Sequence, residues 1–271
     1  TIYNNLICIC GGKSMYPRTF YIKSQRIKYQ ETKLKNPVFA KCYLIKNPYR
    51  DQIVAIPDGC IDFQFVWEGE KCRGYVCGSY LKGNPSKIGT YQKCFGLKLH
   101  PGVLFSFLET SQISLFIENR ISLEQFLNIS SLETQLQYQD SFSDLMERSL
   151  NFFQRQSLYP THNIARETMD IILQTSGSTR ISEIVQSLGY THHYVNNLFK
   201  LHYGIPTKKY AEIVRAQAAI ESLYVNDVMD VVDELGYYDQ AHFIRAFKNC
   251  TSLTPNSFLS QLHAQNGTVI V

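Results

Sequence analysis

Apolar residues recur along this chain with two different periods. Up to about residue 100 the spacing is that of strands. Ile61, Phe63, Phe65 and Trp67 alternate with Asp62, Gln64 and Val66, the pattern of a half-buried strand. Val38 to Ile45, Ile53 to Ile56, Gly74 to Cys77 and Tyr91 to Leu99 predict further strands. Turn signals fall between them at Pro57-Asp58-Gly59, Glu68-Gly69, Gly83-Asn84-Pro85 and Pro101-Gly102. From 103 to 157 the spacing becomes helical. Phe142, Leu145, Met146, Ser149, Leu150 and Phe153 form one stripe, either an ordinary core face or a dimerisation surface. Ser157 to His162, with Pro160, predicts a linker. Asn163 to Leu173 then predicts a helix closed by Gly177-Ser178.

The last third of the chain contains one pattern twice. Ile184-Val185-x-x-Leu188-Gly189-Tyr190, then Val195-x-x-Leu198-Phe199-Lys200, is echoed by Val231-Val232-x-x-Leu235-Gly236-Tyr237, then Phe243-x-x-Ala246-Phe247-Lys248. The glycines are 47 residues apart and the phenylalanines 48, so the second turn holds one extra residue. Each copy predicts a helix ended by glycine, a sharp turn and a second helix pinned by apolar residues. Asp239 and Asp227-x-x-Asp230 are spaced as helix N-caps. Lys208 to Leu223 predicts a connecting helix of about 24 Å, at ~1.5 Å per residue. The expected fold class is α+β. A mainly β N-terminal domain with trailing helices spans 1–160 (β-rich over 1–100, helical over 103–157). An all-α domain of two helix-turn-helix units joined by a linker helix spans 163–264.

Once the inner faces of the two second helices are buried, their outer faces hold chemistry suited to base edges. His193, Asn196 and Asn197 lie on the first, and Gln240, Ala241, Ile244 and Arg245 on the second. Arginine pairs in a bidentate way with guanine, asparagine and glutamine do so with adenine, and alanine or isoleucine meets a thymine methyl. Lys200, Lys208, Lys209 and Lys248 suit phosphate. A rod of the linker helix's size sets two reading helices about one turn of double-stranded DNA apart, ~34 Å.

Charge complicates this picture. Residues 163–271 carry eight Lys/Arg and ten Asp/Glu, a net of −2, while the rest of the chain nets +6. Phosphate neutralisation drives non-specific binding, so that binding is expected to be weak here. Specific binding should depend on avidity or a partner. Hydrophobic residues make up 44% and charged residues 18%, which favours a packed core over disorder. The apolar runs are too short to span a bilayer, and a cytoplasmic location is the expectation.

Residues 165–262 resemble the DNA-binding domain of the AraC/XylS family of transcription regulators. The resemblance rests on Gly236-Tyr237-Tyr238-Asp239-Gln240-Ala241-His242-Phe243-Ile244-Arg245-Ala246-Phe247-Lys248 and Leu253-Thr254-Pro255-x-x-Phe258, the family's specific signature segment. The first copy adds Leu188-Gly189-Tyr190, Leu198-Phe199-Lys200 and Gly204 to Tyr210, and the connecting helix adds Arg215-Ala216-x-x-Ala219. The resemblance implies base reading by the same outer residues named above. Val185 and Val232 replace a usual small alanine, Thr207 a usual proline, and Asn197 a frequent arginine. Ile56-Pro57-Asp58-Gly59-Cys60-Ile61-Asp62, Phe95 to Gly102 and Arg120-Ile121-Ser122-Leu123 resemble the sensory domain of one AraC subgroup. By that resemblance the N-terminal half senses a small-molecule effector or forms a homodimer, and an activator would meet RNA polymerase. Phe63, Phe65, Trp67 and Tyr75 are the candidate pocket liners.

Two other readings compete. Seven of eight cysteines fall in the first 94 residues, and Cys8, Cys10, Cys72 or Cys77 could serve a thiol or metal sensor. None has a recognisable zinc spacing, so no metal site is expected. Asp58, Asp62 and His100, with Cys60 or Cys94, could serve an enzyme domain fused to the DNA-binding unit. No accompanying catalytic motif is present, so neither a catalytic residue nor a cofactor is expected.

Overall fold

The computed structural model describes residues 19–265 apart from 23, 110 and 111. Its N-terminal part holds two antiparallel sheets. The larger joins β2 (Lys28–Lys33), β3 (Phe39–Lys46), β5 (Asp62–Glu68), β6 (Lys71–Cys77), β8 (Lys93–Leu99) and β9 (Arg120–Ser122) in the order β2-β3-β8-β5-β6-β9. The smaller joins β1 (Phe20–Ile22), β4 (Ile53–Ala55) and β7 (Asn84–Pro85) in the order β1-β4-β7. The predicted strands are all present. β1, β2, β7 and β9 lacked a sequence signal because they are short or, like β2, lie largely exposed at a sheet edge.

Both faces of the large sheet are covered, so side chains alternate between two interiors. Phe63, Phe65, Phe95 and Leu97 point into one core, closed by α1 (Ile113–Phe116), α2 (Ser130–Gln137) and α3 (Phe142–Phe153). Tyr43, Ile45, Val66 and Cys94 point the other way and pack against Phe20, Ile53 and Ala55 of the small sheet. The apolar stripe of α3 belongs to the first core. Phe153 stacks on Phe63 at 4.6 Å between ring centroids, and Leu145 and Ser149 are buried beside it. The stripe is thus spent inside the chain, and the dimerisation alternative loses its surface.

The C-terminal helices are α4 (Asn163–Gln174), α5 (Ile181–Leu188), α6 (His192–Tyr203), α7 (Thr207–Ser222), α8 (Val228–Glu234), α9 (Gln240–Thr251) and α10 (Pro255–Gln265). One core gathers Ile172, Ile184, Phe199 and Val214 around the first repeat, and another gathers Ala219, Val231, Phe243 and Phe247 around the second. Tyr21 and Ile56 of the β region are buried in the second of these cores. The two halves therefore share apolar surface.

Phe153 fills space among Phe39, Phe63 and Phe105. Phe153→Ala is expected to cost about 3–5 kcal/mol in chemical denaturation without changing the oligomeric state in sedimentation. A loss of self-association instead would return α3 to a subunit interface.

Candidate nucleic-acid interface

In both repeats the turn is built by the same local chemistry. α5 ends on Gly189 at φ 73°, and α8 is followed by Gly236 at φ 65°, a left-handed backbone in which a β-carbon is strained. Thr191 then caps α6 by accepting from the Tyr194 amide, and Asp239 caps α9 by accepting from the His242 amide at 2.6 Å. Asp227 caps α8 by accepting from the Met229 and Asp230 amides. Val195 and Phe199 turn inward on α6, as do Phe243 and Phe247 on α9.

These anchors decide which side chains remain outside. His193 and Asn197 on α6 are exposed and hydrogen-bond each other at 2.8 Å. Gln240, Ala241 and Arg245 on α9 are exposed, and Ile244 is half-buried against the core. Among the described residues, Gln240 and Arg245 have no hydrogen-bond or ion-pair partner. Lys200, Lys208 and Lys248 are exposed, and the half-buried Lys209 approaches Glu212 at 3.6 Å.

Asn196 departs from the sequence expectation. It is half-buried, and its amide oxygen accepts from the Thr207 amide at 3.2 Å and the Thr207 hydroxyl at 3.1 Å. Thr207 is fully buried. A proline there would have no N–H, so threonine adds two donors and Asn196 satisfies both. With its oxygen engaged, Asn196 lacks the acceptor that bidentate adenine reading requires. Arg215 has more to do than sit on the linker helix. It donates from Nε to the Leu235 carbonyl at 2.9 Å, and its guanidinium lies 3.8 Å from the Tyr237 ring centroid, tying α7 to the second turn.

The β region rests on the far ends of these helices. The segment after β4 meets α7: Gln217 donates from Nε2 to the Pro57 carbonyl, and a Cβ at Gly59 would stand 2.5 Å from the Tyr210 ring. The Gly83 amide donates to the Cys250 carbonyl at the end of α9, while Ser252 Oγ donates to the Gly83 carbonyl. Ile113 and Ile117 pack on Gly204 behind α6. The contacts grip C-terminal ends and the linker, and leave the polar outer flanks exposed.

One charged group steadies the loop on α7 from the other side. Lys98, only 1% exposed, reaches Asp58 at 2.7 Å and Asp62 at 3.3 Å. Burial works against the Lys98 ammonium, but the two carboxylates outweigh it and its pKa is raised. Burial raises the Asp62 carboxyl against the pull of Lys98. Tyr43 donates to Asp62 at 2.8 Å, its ring passing close to Gly96, where any Cβ would collide with it.

The other sequence candidates are placed elsewhere. Phe63 and Phe65 are sealed in the helix-covered core, and Trp67 donates to the Gln137 carbonyl at 3.0 Å with Lys93 over its ring. Tyr75 lies on the opposite face of the sheet, packed on Arg120. The four aromatics thus surround no common space. A cavity in this region, about 30 Å³, has Asp58, Asp62, Lys98, Arg120 and Thr19 among its lining residues instead. His100 shares a hydrogen bond with the Asn36 carbonyl at 3.0 Å, and burial lowers its pKa. Cys42, Cys60, Cys72, Cys77, Cys94 and Cys250 are buried and unbridged. Burial pushes the Cys42 and Cys72 thiols up to about 12 and raises Cys60, Cys77 and Cys94 as well, so few thiolates form. Cys8 and Cys10 lie outside the described residues. Among the described residues, no group of three or more His, Cys, Asp or Glu is gathered as a metal site, and no helix is long and apolar enough to cross a membrane.

Comparison with known proteins bears on the helical region. Residues 173–261 match the family described as a helix-turn-helix domain, HTH_18. Over 148 residues the chain is 27% identical to the uncharacterized HTH-type transcriptional regulator YtdP of Bacillus subtilis (strain 168), a match covering 53% of this chain and 19% of that protein. The chain thus spans about a fifth of the length of the curated relative it matches. Among solved structures, the C-terminal domain of AraT, a response regulator from Geobacillus stearothermophilus, is 20% identical at a TM-score of 0.35, covering 37% of this chain and 86% of that one. ToxT from Vibrio cholerae O395 is 13% identical at a TM-score of 0.40, covering 90% and 98%.

Lys98→Met is expected to leave two carboxylates buried without a counter-charge and to cost about 3–5 kcal/mol in denaturant titration. A loss below ~1 kcal/mol would mean the carboxylates are not charged in the fold. In a Cys8→Ser, Cys10→Ser variant, the native protein should show no thiol titratable by a disulfide reagent, and all six only in denaturant. Fast labelling of any would reopen the sensor reading.

Proposed function

Taking residues 173–261 as a helix-turn-helix domain of AraC type, we propose that this chain is a sequence-specific transcription regulator that reads double-stranded DNA with α6 and α9. The observation that carries the proposal is the outer flank of α9. Gln240 and Arg245 stand exposed with no partner among the described residues, beside Ala241 and Ile244, on a helix whose inner side is locked by Phe243 and Phe247. Arg245 would pair with a guanine, Gln240 with an adenine, and Ala241 and Ile244 would meet thymine methyls. α6 contributes less, through His193 and Asn197, because Asn196 is engaged with Thr207 and acts by positioning the start of α7. Lys200, Lys208, Lys209 and Lys248 would hold phosphates.

Regulation would come from the β region. It touches α6, α7 and α9 away from their outer flanks, so a small-molecule effector bound there could change how the two reading helices are presented without meeting the DNA. Such an effector must bind the competent and incompetent arrangements with different affinities. Activation, with RNA polymerase as partner, and a homodimer on paired sites are parts of this reading that rest on family resemblance. On this reading the protein would work in the cytoplasm with the chromosome.

Gel-shift titration with fragments flanking its own gene should show retarded complexes that weaken steeply as salt rises. No retarded fragment at micromolar protein would count against the proposal. Arg245→Ala is expected to cost about 1–3 kcal/mol on the preferred site and to relax preference at one position. Lys248→Ala should weaken all sequences alike and lower the salt slope by about one. Equal, uniform losses for both variants would refute the assignment of Arg245 to a base.

A further inference from the structure

On the inner face of the large sheet, strand register sets Lys98, Asp62, Cys77 and Arg120 side by side across β8, β5, β6 and β9. Neighbouring strands are about 4.8 Å apart, so the backbones of Asp62 and Arg120 are separated by roughly 10 Å. Only the short Cys77 stands between them. Asp62 is 4% exposed. Its Oδ2 takes Tyr43, Lys98 and Gln64, and its Oδ1 has no hydrogen-bond partner among the described residues. The Arg120 guanidinium is held between the Tyr75 and Tyr91 rings, at 3.7 and 4.7 Å from their centroids, and donates from Nη2 to the Tyr91 hydroxyl at 2.6 Å. Among the described residues its Nη1 is buried with no hydrogen-bond partner, and so is Thr19 Oγ1. Asp62, Arg120 and Thr19 all line the 30 Å³ cavity. A buried acceptor, a charged donor and a hydroxyl thus border one space, each able to hydrogen-bond to whatever enters it.

We infer that this cavity is the effector site of the regulator proposed above, and that its ligand is a small zwitterion with its ammonium toward Asp62 Oδ1 and its carboxylate toward Arg120 Nη1. Charge selects the class. Among the charged lining groups that are not exposed, Asp58 and Asp62 balance Lys98 and Arg120, while Lys87 is solvent-exposed, so a ligand with net charge would leave a buried charge uncompensated, whereas a zwitterion satisfies both ends. Size supplies the coupling. The cavity accommodates a water or two, and a larger ligand has to displace a wall. One wall is Asp58, in the loop whose Pro57 carbonyl and Gly59 backbone rest on Gln217 and Tyr210 of α7. Entry of the ligand therefore works against the contact that seats the linker helix. The inference rests on the regulator reading for its consequence, while the site itself is testable without DNA.

Thermal unfolding of the full chain is followed with a panel of glycine, alanine, β-alanine and γ-aminobutyrate, and with acetate and methylammonium as the two separate halves. At least one zwitterion is expected to raise Tm saturably by about 2–4 °C, with neither half doing so. Arg120→Gln should abolish the rise. Thr19→Val, which exchanges the hydroxyl for a methyl of similar size, should weaken it several-fold in concentration dependence. If no panel member raises Tm, if acetate matches the zwitterions, or if the rise survives in Arg120→Gln, the cavity holds water only and the inference is overturned. A zwitterion that raises Tm but leaves the affinity for a retarded fragment unchanged overturns the effector role. Absence of any retarded fragment alongside a Tm rise instead defeats the regulator reading and leaves the site standing.

Discussion

A single ammonium group organises the β-rich half of this protein. Lys98 enters the interior of a sheet, where a charge is costly to desolvate, and is tolerated because Asp58 and Asp62 meet it there. Asp62 is part of the sheet, while Asp58 belongs to the loop that leaves it. The ion trio therefore fastens a loop to a strand. The opposite side of that loop meets the linker helix through Pro57 and Gly59. Strand register, loop position and helix seating are consequently linked through one buried charge, and a change at any one of them bears on the others.

The helical half depends on a repetition of small devices. Each repeat ends a helix on a glycine in the left-handed region, starts the next on a capping side chain and pins it with two apolar residues a turn apart. The copies are not equal. Thr207 in place of proline recruits Asn196 inward, which removes an outer residue from the first repeat. The second keeps its polar flank uncommitted and is further braced by Arg215 against the Leu235 carbonyl and the Tyr237 ring. In the proposed reading of DNA, this asymmetry would concentrate specificity in α9. The acidic residues that make this half net negative include Asp227, Asp230, Asp233 and Glu234 on the support helix α8, and no acidic side chain shares the outer flank of Gln240, Ile244 and Arg245.

Burial also sorts the two competing chemistries. Thiols that burial holds protonated are poor nucleophiles and poor sensors, and the described cysteines are all of that kind. Asp58 and Asp62, candidate acid-base groups in the sequence together with His100, are engaged by Lys98, and His100 at the strand end is satisfied by a backbone carbonyl. These groups serve the fold and the proposed effector site.

Much was legible in the residues alone. The helix-turn-helix copies, their caps and their inner and outer faces follow from local spacing, since a helix places residues three and four apart on one side whatever surrounds it. The longer strands were legible for the same reason. Aromatic alternation in β5 predicted a strand but misdirected the pocket, because a sheet covered on both faces hides two interiors, and only the fold shows which one holds the polar cavity. The row from Lys98 to Arg120 joins positions far apart in the chain through strand pairing, and Asn196 turns inward because a helix start eleven residues on needs its oxygen. What the sequence determined by itself was local periodicity and end chemistry. Which polar groups share a buried space, and which are already paired, only the tertiary structure decided, because desolvation and hydrogen-bond satisfaction depend on neighbours that the chain brings together only on folding.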